Sequence, residues 1–180
     1  MVSKKMEKAL NKQITAEMYS AYLYAAMGAY FDAQNLDGFA KWMRGQAAEE
    51  MEHAMKFYGY VVETGGRVIF EAIEKPPADF GKPEKVFEEV LKHERKVTRL
   101  INALVELARD EKDYATDNFL QWFVAEQVEE EATADGILQK LNDKSDSECH
   151  TFLDDIVGAI AAAAASRIAH DNPNKSDIMK

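Results

Sequence analysis

Apolar residues recur at alternating steps of three and four positions along four long stretches of the chain, 5–33, 37–64, 84–111 and 114–142. This spacing places the apolar side chains on one face of an α-helix. Each stretch holds roughly 28 residues, well above the usual helix length of about 11–12 residues. The pattern therefore predicts four long amphipathic helices that bury their apolar faces against one another in a bundle.

The segments between these stretches predict how the helices connect. The first pair is joined by "AQNLDG" and the second pair by "KDY", and such short connections favour antiparallel hairpins. Residues 65–83 form a much longer connection, in which Gly65 and Gly66 end a helix, Pro76 and Pro77 prevent one, and Pro83 suits a helix start. We therefore predict an all-α fold, a four-helix bundle with one long crossover that runs the length of the bundle.

A fifth helical segment is predicted after the bundle. Ser145 and Glu148 have the spacing of a capping box, and an apolar stripe continues from Phe152 to about residue 170. We expect one domain over residues 1–170, with the bundle at 5–142 and a short fifth helix at about 146–170. Residues 171–180 are expected to form a flexible tail.

The composition narrows the classes of function. The 180 residues carry a net charge of −10, which disfavours nucleic-acid binding and suits a protein that attracts cations. Cys149 is the single cysteine, so a disulfide within the chain and a cysteine-rich metal cluster are both excluded. The N-terminus has no apolar signal segment, and the longest apolar run, 156–165, is too short to cross a bilayer. We therefore expect a cytoplasmic protein with no membrane or nucleic-acid partner.

Polar residues interrupt the apolar face of every predicted helix near its middle. A buried, unpaired carboxylate is costly, and several of them together repel one another, so such positions need a cation or bound protons. Any one of these glutamates, or one Glu-x-x-His motif, could equally belong to a solvated helix surface. The interrupting residues are Glu17 on the first helix, Glu50 and His53 on the second, Glu94 on the third, and Gln127 and Glu130 on the fourth.

The spacing of these residues favours a metal site over a solvated surface. Glu17 and Glu50 are 33 residues apart, and Glu94 and Gln127 are also 33 residues apart. His53 and Glu130 each follow three residues later, so the two hairpins repeat one polar layout. Such a repeat brings all six side chains to one level of the bundle. Carboxylate oxygens with one imidazole suit iron or manganese, and bundle cores are known to hold di-metal carboxylate sites.

Four stretches make the chain resemble the ferritin family, specifically its haem-free prokaryotic members. They are "LNKQITAEMYSAYLY", "AEEMEHAMKFYGY", "LKHERKVT" and "NFLQWFVAEQVEEE", and the resemblance covers about residues 5–142. It implies a four-helix bundle with a short fifth helix, assembled into a hollow cage of twenty-four subunits. It also implies a ferroxidase that oxidises Fe(II) with oxygen or hydrogen peroxide and stores the ferric mineral inside the cage.

The resemblance assigns residues to a di-iron centre. Glu17, Glu50 and His53 match the ligands of the first iron position. Glu50, Glu94 and Glu130 match those of the second position, so Glu50 would bridge the two irons, with Gln127 beside them. A pair of Fe(II) ions could together reduce oxygen to the peroxide level, because each ion gives one electron.

Other residues match more peripheral parts of the family's iron chemistry. Glu49, Glu126 and Glu129 match a third, looser iron position, through which the product could leave toward the cavity. Tyr24 and Trp122 match aromatic residues beside the centre, and a role in electron supply is implied by analogy. Core packing is an equally good explanation of Tyr24.

Two alternative functions remain open from the sequence. One is a haem-binding, bacterioferritin-like cage, since Met51 falls where those proteins bind haem between subunits. The fourth helix, however, reads Gln127-x-x-Glu130 rather than a second Glu-x-x-His, and methionine is an ordinary packing residue, so we expect no haem. The other is a structural cage whose metal site is vestigial.

Overall fold

A computed structural model describes residues 2–143 and Val157, and residues 2–143 form four α-helices without strands. The helices are α1 (Lys4–Asp32), α2 (Asp37–Glu63), α3 (Pro83–Asp110) and α4 (Tyr114–Asn142). Their bounds differ from the predicted ones by about one residue, and the predicted all-α bundle is confirmed. Apart from Val157, the predicted fifth helix lies outside the described residues, as do the tail at 171–180 and Cys149.

The helix ends follow from residues that satisfy or remove free backbone groups. The Ser3 hydroxyl accepts a hydrogen bond from Met6 N (2.9 Å) at the start of α1, and Asp113 caps α4 through Thr116 N (3.1 Å). Pro83 is the first residue of α3, where its missing N–H costs nothing. Beyond the end of α2, Gly65 adopts a φ of 76°, a left-handed conformation that favours glycine.

The crossover between α2 and α3 runs along α1. Near one end, the Asn11 side chain donates to Arg67 O (3.0 Å) and accepts from Ile69 N (2.6 Å). Near the other end, the Tyr30 hydroxyl contacts Asp79 Oδ1 at 3.0 Å. The two anchors, Asn11 and Tyr30, lie on one helix, and 19 residues at a rise of 1.5 Å separate them by about 28 Å. The predicted long crossover therefore extends along most of the bundle.

The apolar core consists of two clusters, one toward each end of the bundle. Residues such as Leu10, Ile14, Phe57, Ile101 and Leu120 form one cluster, and Tyr24, Phe31, Phe39, Phe87 and Ile137 belong to the other. The polar residues at the middle of the helices lie in a layer between the two clusters. This packing fixes the four helix backbones on both sides of that polar layer.

The positions that recur at steps of three and four along the four predicted helices are buried in the structure. The exceptions are Tyr60 on α2 and Thr98 on α3, which are half-buried. Within the part of the chain that the structure describes, no helix has both the length and the hydropathy that a membrane span requires.

Candidate metal centre

The four helices bring five candidate metal ligands to one buried level. None of these side chains is more than 7% exposed, although four are carboxylic acids. The helices hold them there because the apolar residues one and two turns away on the same faces belong to the two core clusters. The five residues are Glu17 on α1, Glu50 and His53 on α2, Glu94 on α3 and Glu130 on α4.

Glu17, Glu50 and His53 converge on a space that fits a cation. Ligand atoms of the three side chains lie within 4.8 Å of one another, and His53 Nδ1 is 3.4 Å from Glu50 Oε2. Glu17 Oε2 and Glu50 Oε1 are buried and have no hydrogen-bond partner among the described residues. Leaving buried oxygens unsatisfied is costly, and a bound cation would satisfy both.

Outside the group of three converging side chains, Glu94 on α3 and Glu130 on α4 lie at the same buried level. Gln127 lies beside them, with its Nε2 3.5 Å from Glu94 Oε2, and the Tyr24 hydroxyl donates to Glu94 Oε1. Gln46 Nε2 donates to Glu130 Oε2 at 2.9 Å. Burial, followed by the charge of Glu94, raises the pKa of Glu130, so the two carboxylates repel each other when both are charged. The residues predicted for both metal positions therefore lie on the same layer.

Burial and mutual repulsion favour the protonated forms of these carboxylic acids when no metal is present. Burial raises the pKa of Glu17, Glu50 and Glu130 well above the usual value, and it also raises the pKa of Glu94. The second cause for Glu17 is the charge of Glu50, and for Glu50 and Glu130 it is the charge of Glu94. A cation would reverse both effects and release protons on binding.

A second acidic group lies nearer the surface. Ligand atoms of Glu49, His53 and Glu126 also come within 4.8 Å of one another. Burial raises the pKa of Glu49, the charge of His53 opposes this shift, and Glu126 and Glu129 add to it. Glu129 is exposed and is outside that converging group of three, although its charge reaches Glu49. His53 thus belongs to both groups, and the sequence does not reveal that it lies between them.

Aromatic rings enclose the centre on two sides. Trp122 packs edge-to-face on His53, with ring centroids 5.3 Å apart and an interplanar angle of 79°. The Lys56 ammonium lies 3.0 Å from the centroid of the Trp122 ring. Tyr24 is fully buried and makes edge contacts with Trp42 and His93. The two aromatic residues singled out in the sequence therefore do lie beside the candidate ligands. Met51, by contrast, is an exposed residue of α2, and its role stays open.

Two buried glutamines near the centre have no assigned role in the sequence analysis. Gln13 Nε2 donates to Glu17 Oε1 at 2.9 Å, as Gln46 does to Glu130. Gln13 and Gln46 are themselves 33 residues apart, so the repeat contained the signal that identifies them. His93 was also missed: its Nε2 lies 2.8 Å from the Ser20 hydroxyl, and no periodic pattern marks it.

Comparisons with known proteins agree with this geometry. The family described as a ferritin-like domain matches residues 7–144. The chain is 46% identical over 158 residues to a bacterial non-haem ferritin of Bacteroides fragilis, covering 88% of this chain and 99% of that protein. It is 42% identical over 152 residues to a bacterial non-haem ferritin of Staphylococcus epidermidis, covering 84% and 91% of the two chains.

Solved structures are similar as well. An open-pore ferritin from the hyperthermophilic archaeon Archaeoglobus fulgidus superposes with a TM-score of 0.86 and 52% sequence identity. The match covers 88% of this chain and 98% of the archaeal chain. An engineered closed form of the same archaeal ferritin matches with the same TM-score and identity.

Proposed function

Because the chain belongs to the ferritin-like domain family, we propose that it stores iron, and that it does so as a ferroxidase whose copies assemble into a hollow cage. The observation that carries the proposal is the pair of buried, unpartnered oxygens, Glu17 Oε2 and Glu50 Oε1, beside the His53 imidazole. A protein core tolerates such atoms poorly unless a proton or a cation comes to them, and the neighbouring imidazole favours a metal cation as the occupant. Fe(II) is here the substrate, bound on its way to the ferric mineral.

Two Fe(II) ions would share the buried centre. Glu17, Glu50 and His53 would bind one ion, and Glu50, Glu94 and Glu130 the other, with Glu50 as the bridge and Gln127 alongside. This assignment comes from the resemblance, and it is supported by the burial of these side chains and by the convergence of Glu17, Glu50 and His53. Carboxylates and one imidazole are ligands that iron accepts readily.

The centre would couple two one-electron oxidations. Two Fe(II) ions give two electrons, which reduce dioxygen to the peroxide level, or reduce hydrogen peroxide to two molecules of water with the uptake of two protons. The carboxylic acids of the centre would release their protons when Fe(II) binds, because a nearby dication favours their charged form. The protein thus binds the ions, holds them next to each other and keeps the reaction away from bulk solvent.

Ferric product would leave through the acidic group nearer the surface. We assign Glu49, Glu126 and Glu129 to a third, looser iron position, and the convergence of Glu49 and Glu126 on His53 supports a short step from the buried centre. Tyr24 would act beside the centre as a source of an electron, supported by its hydrogen bond to Glu94. The cage is proposed to contain twenty-four subunits, which size exclusion with light scattering would test directly.

Stopped-flow measurement of Fe(II) oxidation tests the ferroxidase. The assembled wild-type protein is compared with Glu50→Ala, which removes the shared ligand, and with Glu106→Ala, which removes an exposed glutamate of α3 as a matched control. We expect Glu50→Ala to lose the fast phase and Glu106→Ala to keep it. Equally slow oxidation by all three proteins would instead favour a structural cage with a vestigial site, and a Soret band would favour a haem protein.

A further inference from the structure

Two buried amides hold ligands of the proposed metal centre. Gln13 Nε2 donates to Glu17 Oε1, and Gln46 Nε2 donates to Glu130 Oε2, both at 2.9 Å. Gln13 is 3% exposed and Gln46 8%, so water does not compete strongly for these hydrogen bonds. Each amide therefore occupies one oxygen of a carboxylate and leaves the other oxygen available.

The arrangement is specific to the first hairpin. Gln13 and Gln46 lie four residues before Glu17 and Glu50, one turn earlier on the same face of α1 and α2. The equivalent positions of the second hairpin, four residues before Glu94 and Gln127, are occupied by the buried apolar residues Val90 and Phe123. An apolar core position is the default there, because a buried amide is costly unless it is hydrogen-bonded. Two glutamines in the first hairpin therefore require a local reason.

Glu50 is held differently from the two carboxylates that receive an amide. Its Oε1 has no hydrogen-bond partner in the described part of the chain, and its Oε2 faces His53 Nδ1 at 3.4 Å. Glu17, in contrast, has Oε1 fixed by Gln13 while Oε2 is unpartnered. The outer carboxylates are thus each oriented by an amide, and the central one receives no amide hydrogen bond.

We propose that Gln13 and Gln46 are positioning residues that make Glu17 and Glu130 present one chosen oxygen each to the metal, while Glu50 adapts between the two ions. Hydrogen bonds of this kind, from residues that contact the ligands and not the metal, orient metal ligands and affect affinity by about 10- to 100-fold. Gln13 orients Glu17, a ligand of the first metal position, and Gln46 orients Glu130, a ligand of the second. The proposal rests on the proposed di-metal centre and deepens it.

Metal titrations of the assembled protein test this assignment without relying on iron oxidation. Gln13→Met and Gln46→Met each remove the amide donor and keep a side chain of similar length. The matched control is Asn11→Leu, which removes another buried amide of α1 whose partners, Arg67 and Ile69, belong to the crossover. Co(II) absorption and Zn(II) calorimetry report the affinity of each position, and denaturant unfolding reports the stability of the metal-free protein.

We expect each glutamine variant to weaken one of the two positions by about 10-fold and to leave the other within about twofold. Asn11→Leu should lower stability without changing either affinity. If wild type binds two Co(II) per chain and both glutamine variants bind equally well, the positioning role is overturned while the metal centre stands. If Asn11→Leu weakens metal binding as much as they do, the effect is structural and the positioning role is also overturned. If wild type binds no Co(II) at the centre, the proposed function itself fails.

Discussion

The phenol of Tyr24 on α1 donates a hydrogen bond to Glu94 Oε1 on α3, which joins two helices that belong to different hairpins. The Tyr24 ring is fixed between Trp42 and His93, at centroid distances of 6.1 and 6.3 Å and nearly perpendicular to both. A buried tyrosine that is hydrogen-bonded to a carboxylate of the proposed centre has an acceptor for its proton. Its position therefore supports a role in the reaction in addition to its role in packing.

Tyr24→Phe should separate these two roles. The variant keeps the packed ring and loses the hydrogen bond to Glu94, so we expect the metal-free protein to be less stable by about 1 kcal/mol. We also expect the time course of Fe(II) oxidation, measured at two irons per subunit, to differ from that of the wild type. Metal affinity should be largely retained. Tyr22→Phe, at an exposed tyrosine of the same helix, is the control. Oxidation kinetics identical to those of the control would limit Tyr24 to packing.

Stability of the metal-free protein should fall as pH rises above about 6.5. The pKa values of Glu17, Glu50, Glu94 and Glu130 are raised by burial, so the folded state holds protons that the unfolded chain has already lost above pH 4.5. The stabilisation is complete below the pKa that these groups have in the unfolded chain. It is lost as pH rises through the pKa values that they have in the folded protein. Each extra proton held by the folded state gives a slope of about −1.4 kcal/mol per pH unit.

The titration of His93 changes the stability in the opposite direction, and it does so at lower pH. Burial, followed by the charge of Lys96, lowers the pKa of His93 from 6.5 to about 4. The contribution of His93 to stability is therefore present above pH 6.5 and is lost as pH falls toward 4, so above pH 6.5 it does not oppose the effect of the carboxylic acids. Chemical unfolding between pH 6.5 and 9 measures that slope, and Glu17→Gln should make it shallower. A stability that rises with pH over this range would contradict the electrostatic picture.

Removing the bridging charge should stabilise the metal-free protein. Glu50 lies among like charges and has an unpartnered oxygen, so Glu50→Gln relieves repulsion while keeping the shape of the side chain. We expect a gain of about 1 kcal/mol in the free energy of unfolding together with a loss of metal binding, as in other exchanges of function for stability. Thermal unfolding with and without Zn(II) checks both effects. Lower stability of the metal-free variant would indicate that Glu50 is already well satisfied without a cation.

Lys56 should weaken cation binding at the acidic group nearer the surface. Its ammonium lies over Trp122, close to that group. Burial lowers the pKa of Lys56, and the charges of Glu126 and Glu52 oppose this shift, so the ammonium and that acidic group interact electrostatically. Lys56→Met should strengthen Zn(II) binding there by up to about fivefold, in line with the modest energies of partly exposed charge pairs. The titration is best made in a Glu50→Ala background, which lacks the bridging ligand of the buried centre. Unchanged or weaker binding would refute this effect of Lys56.

The fold could be predicted from the sequence because its signals are local and repeated. The 3–4 spacing of apolar residues identified all four helices, Pro83 marked the first residue of α3, and Gly65 lies two residues beyond the last residue of α2. The long crossover followed from residues that cannot continue a helix. Its anchors, Asn11 and Tyr30, could not be predicted, because their partners lie about 50 residues away and follow no period.

Most of the candidate site was also available from the sequence, since the 33-residue repeat places Glu17, Glu50, Glu94 and Gln127 on matching turns. The side chains that orient or flank these residues were harder to find. Gln13 and Gln46 follow the same repeat, yet glutamine is common on helix surfaces and only the hydrogen bonds reveal their partners. The Lys56 ammonium lies over the ring of Trp122 on another helix, and this contact depends on how α2 packs against α4.

Anomalous scattering at the iron edge, from a crystal of the protein soaked anaerobically in Fe(II), tests the central claim most directly. The account predicts two peaks in each subunit at the buried polar layer, one bounded by Glu17, Glu50 and His53 and the other by Glu50, Glu94 and Glu130. A weaker third peak is expected beside Glu49 and Glu126. Peaks confined to the surface, with the buried layer empty, would contradict the assignment of a di-iron centre.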